Sequence, residues 1–194
     1  MNRGVRQLRI VGGQLRGRRL SFPDAAGLRP TPDRVRQTLF DWLAPHITGM
    51  RVLDLFAGSG ALGIEALSRG ASTATFVESN REAADNLRET LARFCLTQAR
   101  VETTDAIGFL RRETGRYDLI LLDPPFTSGL LVSCLQQLAQ RQLLEPGGYC
   151  YLECPRREEL PALPPGWVIH RSGTAGEVGY HLLHETRRDL PGDL

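Results

Sequence analysis

The segment DLFAGSGALGIEA, residues 54–66, decides the fold of this chain. It joins the apolar run at 51–56, which is typical of a buried strand, to a helical pattern over 61–69. A glycine-rich turn between a first strand and a first helix lies where open α/β sheets bind ligands. Three interpretations fit the turn: a dinucleotide fingerprint over 58–63, a turn that presents Ser59 as a hydrolase nucleophile, or a site for another adenosine cofactor.

The remainder of the chain alternates strand and helix patterns, which predicts a Rossmann-like α/β fold. Strand patterns occupy 72–79, 99–105, 117–123 and 147–154, and helical patterns occupy 80–94, 106–113 and 129–141. The alternation and the nearly continuous apolar strands predict a mostly parallel sheet with helices on both faces. Two further strand-like runs around 173–179 predict a C-terminal antiparallel hairpin, which brings the sheet to seven strands.

The N-terminal part is predicted to be a small basic extension. QLRIVGGQLRGRRLSF (7–22) is typical of a hairpin that turns at residues 12–13. The tripeptide TPD then favours a helix start with the Thr31 hydroxyl as its cap. Apolar spacing predicts that this helix buries one stripe and leaves Arg34 and Arg36 to project elsewhere. We therefore divide the chain into a hairpin extension at 1–28, the main α/β domain at 29–188 and a frayed tail at 189–194.

Composition limits the class of protein. The chain has 194 residues, of which 41% are hydrophobic, with no apolar run long enough to span a membrane and no secretory signal pattern. We therefore expect a cytoplasmic protein, with a monomer as the simplest state. The four cysteines form no C-x-x-C pair and the four histidines are scattered, which predicts reduced, buried thiols and no metal site.

Positive charge is concentrated near the N-terminus. Residues 1–36 contain nine arginines and two aspartates, although the whole chain has a net charge of only +2 and no lysine. A compositional bias explains why every cation is arginine, but it does not explain why the arginines cluster. A local positive field of this kind suits a polyanion such as RNA. A solvated basic arm without a partner is the alternative.

Two acidic residues distinguish between the interpretations of the glycine turn. Glu78 ends the second strand pattern twenty residues after Gly58, where a carboxylate can accept hydrogen bonds from both hydroxyls of an adenosine ribose. Asp54 lies four residues before Gly58. An anion at that position would repel a diphosphate but would suit an ammonium or sulfonium group.

The hydrolase interpretation is the weakest of the three. It would require Asp123 and either His170 or His181 to form a triad with Ser59. In such hydrolases the serine turn normally follows several strands of the sheet, whereas Ser59 follows the first parallel strand pattern.

The tetrapeptide DPPF, residues 123–126, closes the strongest strand pattern at the same edge of the predicted sheet. Its prolines lack N–H donors, so the Asp123 carboxylate and the Pro124 carbonyl are available only as acceptors. Phe126 offers a face on which a flat ring can stack. Alone, the tetrapeptide is equally consistent with a turn. Together with Asp54 and Glu78, it predicts a receptor for the exocyclic amine of a nucleobase.

These motifs resemble those of class I S-adenosylmethionine-dependent methyltransferases that modify nucleobase amines. RPTPDRVRQTLFDWL (29–43), VLDLFAGSGALGIEALSRGA (52–71), FVES (76–79) and LLDPPF (121–126) are similar to the RsmD-type family of bacterial 16S ribosomal RNA guanine-N2 methyltransferases. The likeness covers nearly the whole chain. The glycine turn is widespread, whereas the 29–43 helix combined with DPPF is specific. The chain departs from the family in its lack of lysine and in carrying Phe126 where many relatives have tyrosine.

The resemblance implies how S-adenosylmethionine would be bound. The methionine end would lie near the first strand end and the glycine turn, at Asp54, Ala57, Gly58, Ser59 and Gly60. The ribose would meet Glu78, and the adenine amine would meet Asp105 with Ala106 beside it. From the residues alone, Asp105 is equally suited to cap the following helix.

The resemblance also implies a substrate, a guanine of 16S rRNA in the assembled or assembling small ribosomal subunit. Asp123, Pro124 and Phe126 would hold the base. The RNA backbone would contact the arginine-rich segment at Arg16, Arg18, Arg19, Arg29, Arg34 and Arg36. Three alternatives stay open: an adenine-N6 methyltransferase acting on DNA or RNA, a non-catalytic RNA-binding module that retains the fold, and an NAD-dependent dehydrogenase.

Overall fold

A computed structural model describes residues 5–23 and 31–186 of the chain. The strands in these ranges are β1 Val5–Arg9, β2 Arg19–Pro23, β3 Arg51–Asp54, β4 Thr73–Glu78, β5 Ala99–Thr103, β6 Tyr117–Leu122, β7 Leu144–Pro155, β8 Trp167–Ala175 and β9 Val178–Glu185. The helices are α1 Asp33–Leu43, α2 Ala61–Ser68, α3 Arg81–Arg93, α4 Ala106–Arg112 and α5 Leu130–Gln140.

Seven strands form one sheet in the order β5-β4-β3-β6-β7-β9-β8. The strands from β5 to β7 in this order are parallel, and β9 joins β7 and β8 in antiparallel pairing. The predicted seven-stranded, mostly parallel sheet with a C-terminal antiparallel hairpin is therefore confirmed. Because β3, β4 and β6 are neighbours and run in the same direction, the segments that follow them meet at one edge of the sheet.

Helices cover both faces of the sheet because successive strand residues point to opposite sides. Val52 belongs to the core on one face, which is formed with α1, α2, α3 and the N-terminal hairpin. Leu53 belongs to the core on the other face, which is formed with α4 and α5. Trp42 of α1 stacks on Tyr180 of β9 with ring centroids 5.5 Å apart, which fixes α1 against the sheet.

The N-terminal hairpin is present, but its turn differs from the predicted one. β1 and β2 are joined by the nine residues 10–18 instead of a tight turn at 12–13. This loop is bound to α2: Glu65 accepts hydrogen bonds from the backbone N–H groups of Val11 (2.9 Å) and Gly12 (2.7 Å). Gly13 has a φ of +72°, and a side chain there would collide with the Ser68 carbonyl. The backbone therefore follows the helix surface instead of turning back early.

The hairpin also shares the main core. Leu8, Ile10, Leu20 and Phe22 are buried in the same apolar cluster as α1 and α2. Both predicted boundaries, at residue 28 and at 189, lie outside the described residues.

Two predictions about α1 are wrong. Pro32 precedes the helix and no side chain caps its N-terminus; the Thr31 hydroxyl turns instead toward carboxyl groups at the sheet edge. Arg36 is completely buried and donates hydrogen bonds to the Arg9 carbonyl and to Asp33. The amphipathic pattern failed here because the basic hairpin covers a face of α1 that would otherwise be solvated.

The outer edge of the sheet is irregular. Among the described strands β8 pairs only with β9, and the register shifts between Ile169 and Arg171. Two large apolar side chains are exposed there, Val168 (46%) and Ile169 (50%).

Two further predictions concern cysteines and membrane helices. Cys134, Cys150 and Cys154 are buried, as expected, but Cys95 is exposed just after α3. None of the helices in the described part of the chain is long and apolar enough to cross a membrane.

We expect Glu65→Gln to lower the free energy of unfolding by about 2–3 kcal/mol, because its buried carboxylate accepts hydrogen bonds from two partly buried backbone donors and from the Arg69 Nε (2.8 Å). Urea denaturation measures the change. The exposed Glu89→Gln variant on α3 is the control and should change stability by less than about 0.5 kcal/mol. Equal stability of the two variants would contradict the role of Glu65 in attaching the hairpin.

Candidate active site

Four acidic side chains lie at the carboxyl edge of the sheet. Asp54 ends β3, Glu78 ends β4 and Asp123 directly follows β6. Glu153 lies in β7, the next strand along the sheet. They are close enough to affect one another: Asp54 interacts electrostatically with Glu78 and with Asp123, and Asp123 interacts with Glu153. Parallel strand order thus gathers negative charge into one crevice.

The glycine turn between β3 and α2 is closed by its own backbone. The N–H of Gly60 donates to the Ala57 carbonyl at 2.7 Å, and the N–H of Ala57 donates to the Val77 carbonyl of β4 at 2.9 Å. Gly60 begins α2 with a φ of +77°, a conformation that side chains disfavour. Ser59 is partly exposed at the tip of the turn. The turn that contains the predicted cofactor-binding residues 57–60 is therefore held in place by backbone hydrogen bonds.

Glu78 holds the turn from the neighbouring strand. Its carboxylate accepts hydrogen bonds from the N–H of Gly58 at 2.8 Å and from the N–H of Asn80 at 2.7 Å. A carboxylate oxygen has two acceptor positions, so each oxygen can still take a hydroxyl donor from a ligand.

Asp54 is buried beneath α2. Its Oδ2 accepts a hydrogen bond of 3.0 Å from the N–H of Gly63, within the positively polarised first turn of the helix. A side chain at Gly63 would collide with the ring of Phe76, so glycine is needed for this approach. Burial nevertheless raises the pKa of Asp54 from 3.8 to about 7, and the negative charge of Glu78 adds to the increase.

Asp123 and Glu153 are connected through Thr31. The Thr31 Oγ1 lies 2.9 Å from Glu153 Oε1 and 3.4 Å from Asp123 Oδ2. The Tyr151 hydroxyl donates a second hydrogen bond to Glu153 Oε1 at 2.8 Å. Burial, and then the charges of Glu153 and Asp54, raise the pKa of Asp123 well above its usual value.

The remainder of DPPF becomes progressively more exposed along the chain. Pro124 is buried, whereas Phe126 is 42% exposed at the start of a short 3-10 turn, Phe126–Ser128. An aromatic ring with this much free surface beside buried carboxyl groups can stack on a planar ligand.

Asp105 acts as a helix cap. It precedes α4 and its side chain accepts a hydrogen bond from the N–H of Gly108 at 2.7 Å. Ala106 is the buried first residue of that helix. Asp105 and Glu78 follow adjacent strands, and the N–H of Thr104 donates to the Glu78 carbonyl at 3.1 Å. The position of Asp105 at the edge of the crevice is therefore compatible with both suggested roles.

The serine-hydrolase interpretation is excluded by the topology. His181 lies in β9, three strands away from β3 in the sheet, which is about 14 Å at ordinary strand spacing. Its ring nitrogen instead lies 2.7 Å from the Ser172 hydroxyl. His170 lies one strand further out in β8 and contacts Tyr149 and His184.

The predicted RNA-binding arginines divide into three groups. Arg16, Arg18 and Arg19 are exposed on the hairpin, and Arg34 is exposed on α1. Arg29 lies outside the described residues. Arg36 is buried, so the prediction that it contacts RNA is wrong.

The exposed hairpin arginines lie away from the carboxyl edge. Loop 10–18 binds Glu65 and Ser68 in the second half of α2, which returns toward the amino edge of the sheet over about 12 Å. Arg18 lies over the Phe94 ring at 5.2 Å, beside the C-terminal end of α3. Any RNA contact here would be made away from the carboxyl edge of the sheet.

Sequence reasoning missed Thr31, Tyr151 and Glu153. Thr31 is separated from Glu153 by 122 positions, so no local pattern connects them. One signal was available: Glu153 is an acid inside the otherwise apolar segment YLEC (151–154), where a buried strand does not usually place a charge.

Within 5–23 and 31–186, no group of three or more histidine, cysteine or acidic side chains is arranged to hold an ion.

The strand order, the glycine turn after β3 and the acidic side chains at the carboxyl edge define a class I methyltransferase. Comparison with known proteins narrows this class. The family model described as Conserved hypothetical protein 95, which represents the RsmD family, matches residues 8–184. The chain belongs to this family, and the predicted family is confirmed.

Individual relatives agree with this assignment. Ribosomal RNA small subunit methyltransferase D of Escherichia coli is 45% identical over 190 residues, which cover 98% of this chain and 94% of that protein. The Haemophilus influenzae protein of the same name is 38% identical and covers 91% of this chain and 93% of its own. The solved structure of Escherichia coli yhhF has a TM-score of 0.87 at 41% identity and covers 94% of this chain and 100% of its own.

A more distant relative is named for activity on adenine. The tRNA1(Val) (adenine(37)-N6)-methyltransferase of Cronobacter sakazakii is 29% identical over 167 residues, which cover 74% of this chain and 62% of that protein.

The pKa of Asp54 leads to a prediction about stability. Because its pKa is about 7 in the folded protein and 3.8 ordinarily, the folded state binds more protons between about pH 4 and 7, and stability falls as pH rises through that window. We expect Asp54→Asn to be more stable than the wild type at pH 8 by about 2–4 kcal/mol and nearly equal at pH 4. Urea denaturation at both pH values measures this. The control is the exposed Glu159→Gln variant, whose free energy of unfolding should equal that of the wild type at both pH values. If Asp54→Asn also equals the wild type at pH 8, the prediction is wrong.

Proposed function

We propose that this protein transfers a methyl group from S-adenosylmethionine to the exocyclic N2 amine of a guanine in 16S rRNA of the small ribosomal subunit. One observation carries the proposal: Asp123, with the Pro124 carbonyl and the exposed Phe126 ring, adjoins the glycine turn and Asp54 at one edge of the sheet. The activity of methyltransferase D relatives at up to 45% identity supports the rRNA substrate.

The charge of the crevice suits this cofactor. S-adenosylmethionine carries a sulfonium and an ammonium group, whereas Asp54, Asp123 and Glu153 are acids whose burial disfavours their ionised forms. A bound cation favours the ionised form of Asp54, so cofactor binding and ionisation of this carboxylate support each other. The Glu78 oxygens would accept the ribose hydroxyls. Asp105 would meet the adenine amine with the oxygen that does not cap α4.

The substrate amine would be held by acceptors. Asp123 and the Pro124 carbonyl would accept its hydrogens while Phe126 stacks on the purine ring. These contacts would direct the nitrogen lone pair at the methyl carbon for in-line transfer. Such alignment contributes about 7–11 kcal/mol to well-oriented reactions.

The base must leave its stack to reach the crevice, which costs a few kcal/mol. Arginine contacts to phosphates would offset this cost. Arg34 lies in the first turn of α1, close to Thr31 in sequence, whereas Arg16, Arg18 and Arg19 lie toward the far end of α2. We therefore propose that the RNA extends from the crevice along the hairpin, and that a folded or protein-bound RNA is the substrate. We further propose that the protein acts as a monomer in the cytoplasm.

Adenine N6 is the second candidate acceptor. The acceptor set would fit either amine, and a relative that methylates adenine is 29% identical to this chain. Greater similarity to the small-subunit enzymes favours guanine.

Product analysis tests the proposal. Undermethylated 30S subunits and their naked 16S rRNA are incubated with the protein and methyl-labelled cofactor, digested to nucleosides and analysed by mass spectrometry. We expect one N2-methylguanosine per subunit and less in naked RNA. N6-methyladenosine would support the alternative, and no methylated nucleoside in either sample would overturn the proposal.

We expect Asp123→Ala to lower the methyl-transfer rate by at least about a hundredfold, because the amine loses its acceptor. Cofactor affinity measured by calorimetry should change little. Glu159→Ala, which removes an exposed acid elsewhere, is the control. Normal turnover by Asp123→Ala would exclude the assigned role.

We expect the double variant Arg16→Gln/Arg18→Gln to weaken binding to small-subunit RNA and to reduce the slope of log affinity against log salt by about one to two. The matched control is Arg111→Gln/Arg157→Gln, which removes two exposed arginines outside the hairpin. Filter binding across a salt series measures both. Equal slopes in the two variants would exclude the hairpin from the RNA interface.

A further inference from the structure

The Thr31 hydroxyl is a one-proton link between two acids. It has a single hydrogen, which it donates to Glu153 Oε1 because that distance is 2.9 Å and the distance to Asp123 Oδ2 is 3.4 Å. A lone pair of the same oxygen is then left for Asp123. Thr31 can therefore donate to one carboxyl group and accept from the other at the same time.

The surroundings of the two acids favour a proton on Asp123. Burial raises the pKa of Glu153, whereas the hydrogen bonds that it accepts from Tyr151 and Thr31 act in the opposite direction and favour its ionised form. Asp123 has only the long contact to Thr31, and the charges of Glu153 and Asp54 both raise its pKa. These contacts therefore favour an arrangement with the proton on Asp123, a bridging hydroxyl, and the negative charge on Glu153.

Other ionisable groups surround this set. Asp54 faces Asp123 from β3, and Glu78 affects Asp54 from β4. Tyr151 lies between Glu153 and Tyr180 of β9, and burial raises its pKa well above 10, so its hydroxyl stays a donor. These described neighbours of Asp123 and Glu153 are all acids or phenols. Glu153 accepts hydrogen bonds from two hydroxyl groups, so of the two acids it is the better supplied with donors.

We propose that Asp123, Thr31 and Glu153 form a proton relay that carries the proton released by the substrate amine from the crevice to Glu153. The relay rests on the proposed function, and it identifies the group that finally accepts the proton released by the methylated amine. Thr31 and Glu153 act through Asp123, so they are positioning and relay residues, whereas Asp123 touches the base.

The relay accounts for every bond, charge and proton in the methyl transfer. The amine nitrogen bonds to the methyl carbon, and the electrons of the broken sulfur–carbon bond stay on sulfur, which becomes a neutral thioether. The nitrogen then carries a positive charge and gives one proton to the free oxygen of Asp123. In the same concerted shift the proton on Oδ2 moves to Thr31 and the Thr31 proton moves to Glu153, so neither Asp123 nor Thr31 carries an extra proton at any point. Glu153 ends neutral and Asp123 keeps one proton, so no further reactant is needed.

Isosteric variants test the relay in the full-length protein. Thr31→Val removes the link at nearly constant volume, Thr31→Ser restores it, and Glu153→Gln keeps an acceptor that cannot take up a proton. We expect Thr31→Val and Glu153→Gln to slow single-turnover methylation of undermethylated 30S subunits by about tenfold or more at pH 7, with Thr31→Ser close to the wild type. Cofactor affinity and melting temperature are measured in parallel.

The pH dependence separates a relay from a structural support. If the relay is broken, bulk water and hydroxide must take the proton, so the deficit of Thr31→Val and Glu153→Gln should shrink as pH rises toward about 9. A deficit that is constant with pH, or a Thr31→Ser variant as slow as Thr31→Val, would overturn the proposal. So would wild-type rates in both variants.

Infrared spectroscopy provides a readout that needs no substrate. In an Asp54→Asn background titrated across pH, we expect a protonated-carboxyl band that is absent from the Asp123→Asn variant and whose titration midpoint moves to lower pH with Glu153→Gln. A band that survives Asp123→Asn would overturn the assignment of the proton. If the band behaves as expected but no RNA is methylated, the carboxyl pair stands and the proposed function fails.

Discussion

Burial of like-charged carboxyl groups is the constraint on which the site depends. Asp54, Asp123 and Glu153 cannot all be ionised in a desolvated crevice without strong mutual repulsion. The structure meets this constraint with a few directed donors: the Gly63 amide for Asp54, and hydroxyl groups for Glu153. Because these donors do not fully offset the repulsion, the group of carboxyl side chains favours the uptake of a proton or the binding of a cation. The apolar strands beneath supply the rigidity that keeps these groups together despite their repulsion.

Helix α2 connects the two functional parts of the molecule. Its first turn donates to Asp54 through the Gly63 amide, and its second half binds the hairpin loop through Glu65 and Ser68. The helix is buried along its whole length, so neither contact can shift independently of the sheet. A nucleic acid bound by the basic hairpin would therefore be held in a fixed position relative to the crevice.

Much of this arrangement could be predicted from sequence because it is encoded locally. Strand and helix periodicity predicted the parallel sheet. Because the carboxyl ends of parallel strands lie at one edge, the acids at the strand ends were expected to lie close together. Contacts between distant segments could not be predicted. Thr31 was taken for a helix cap because the hydroxyl-Pro-Asp pattern favours one, and its true partners lie 92 and 122 positions away. Arg36 was taken for a surface charge because helical periodicity does not reveal that a second layer covers α1.

The irregular pairing of β8 has a consequence for how the protein behaves at high concentration. A regular outer strand with two exposed apolar side chains would be a template on which another copy could add a strand. The register shift between Ile169 and Arg171 interrupts the row of backbone donors and acceptors that such an addition requires. The outer edge of the sheet thus resists ordered self-association while leaving Val168 and Ile169 in contact with solvent.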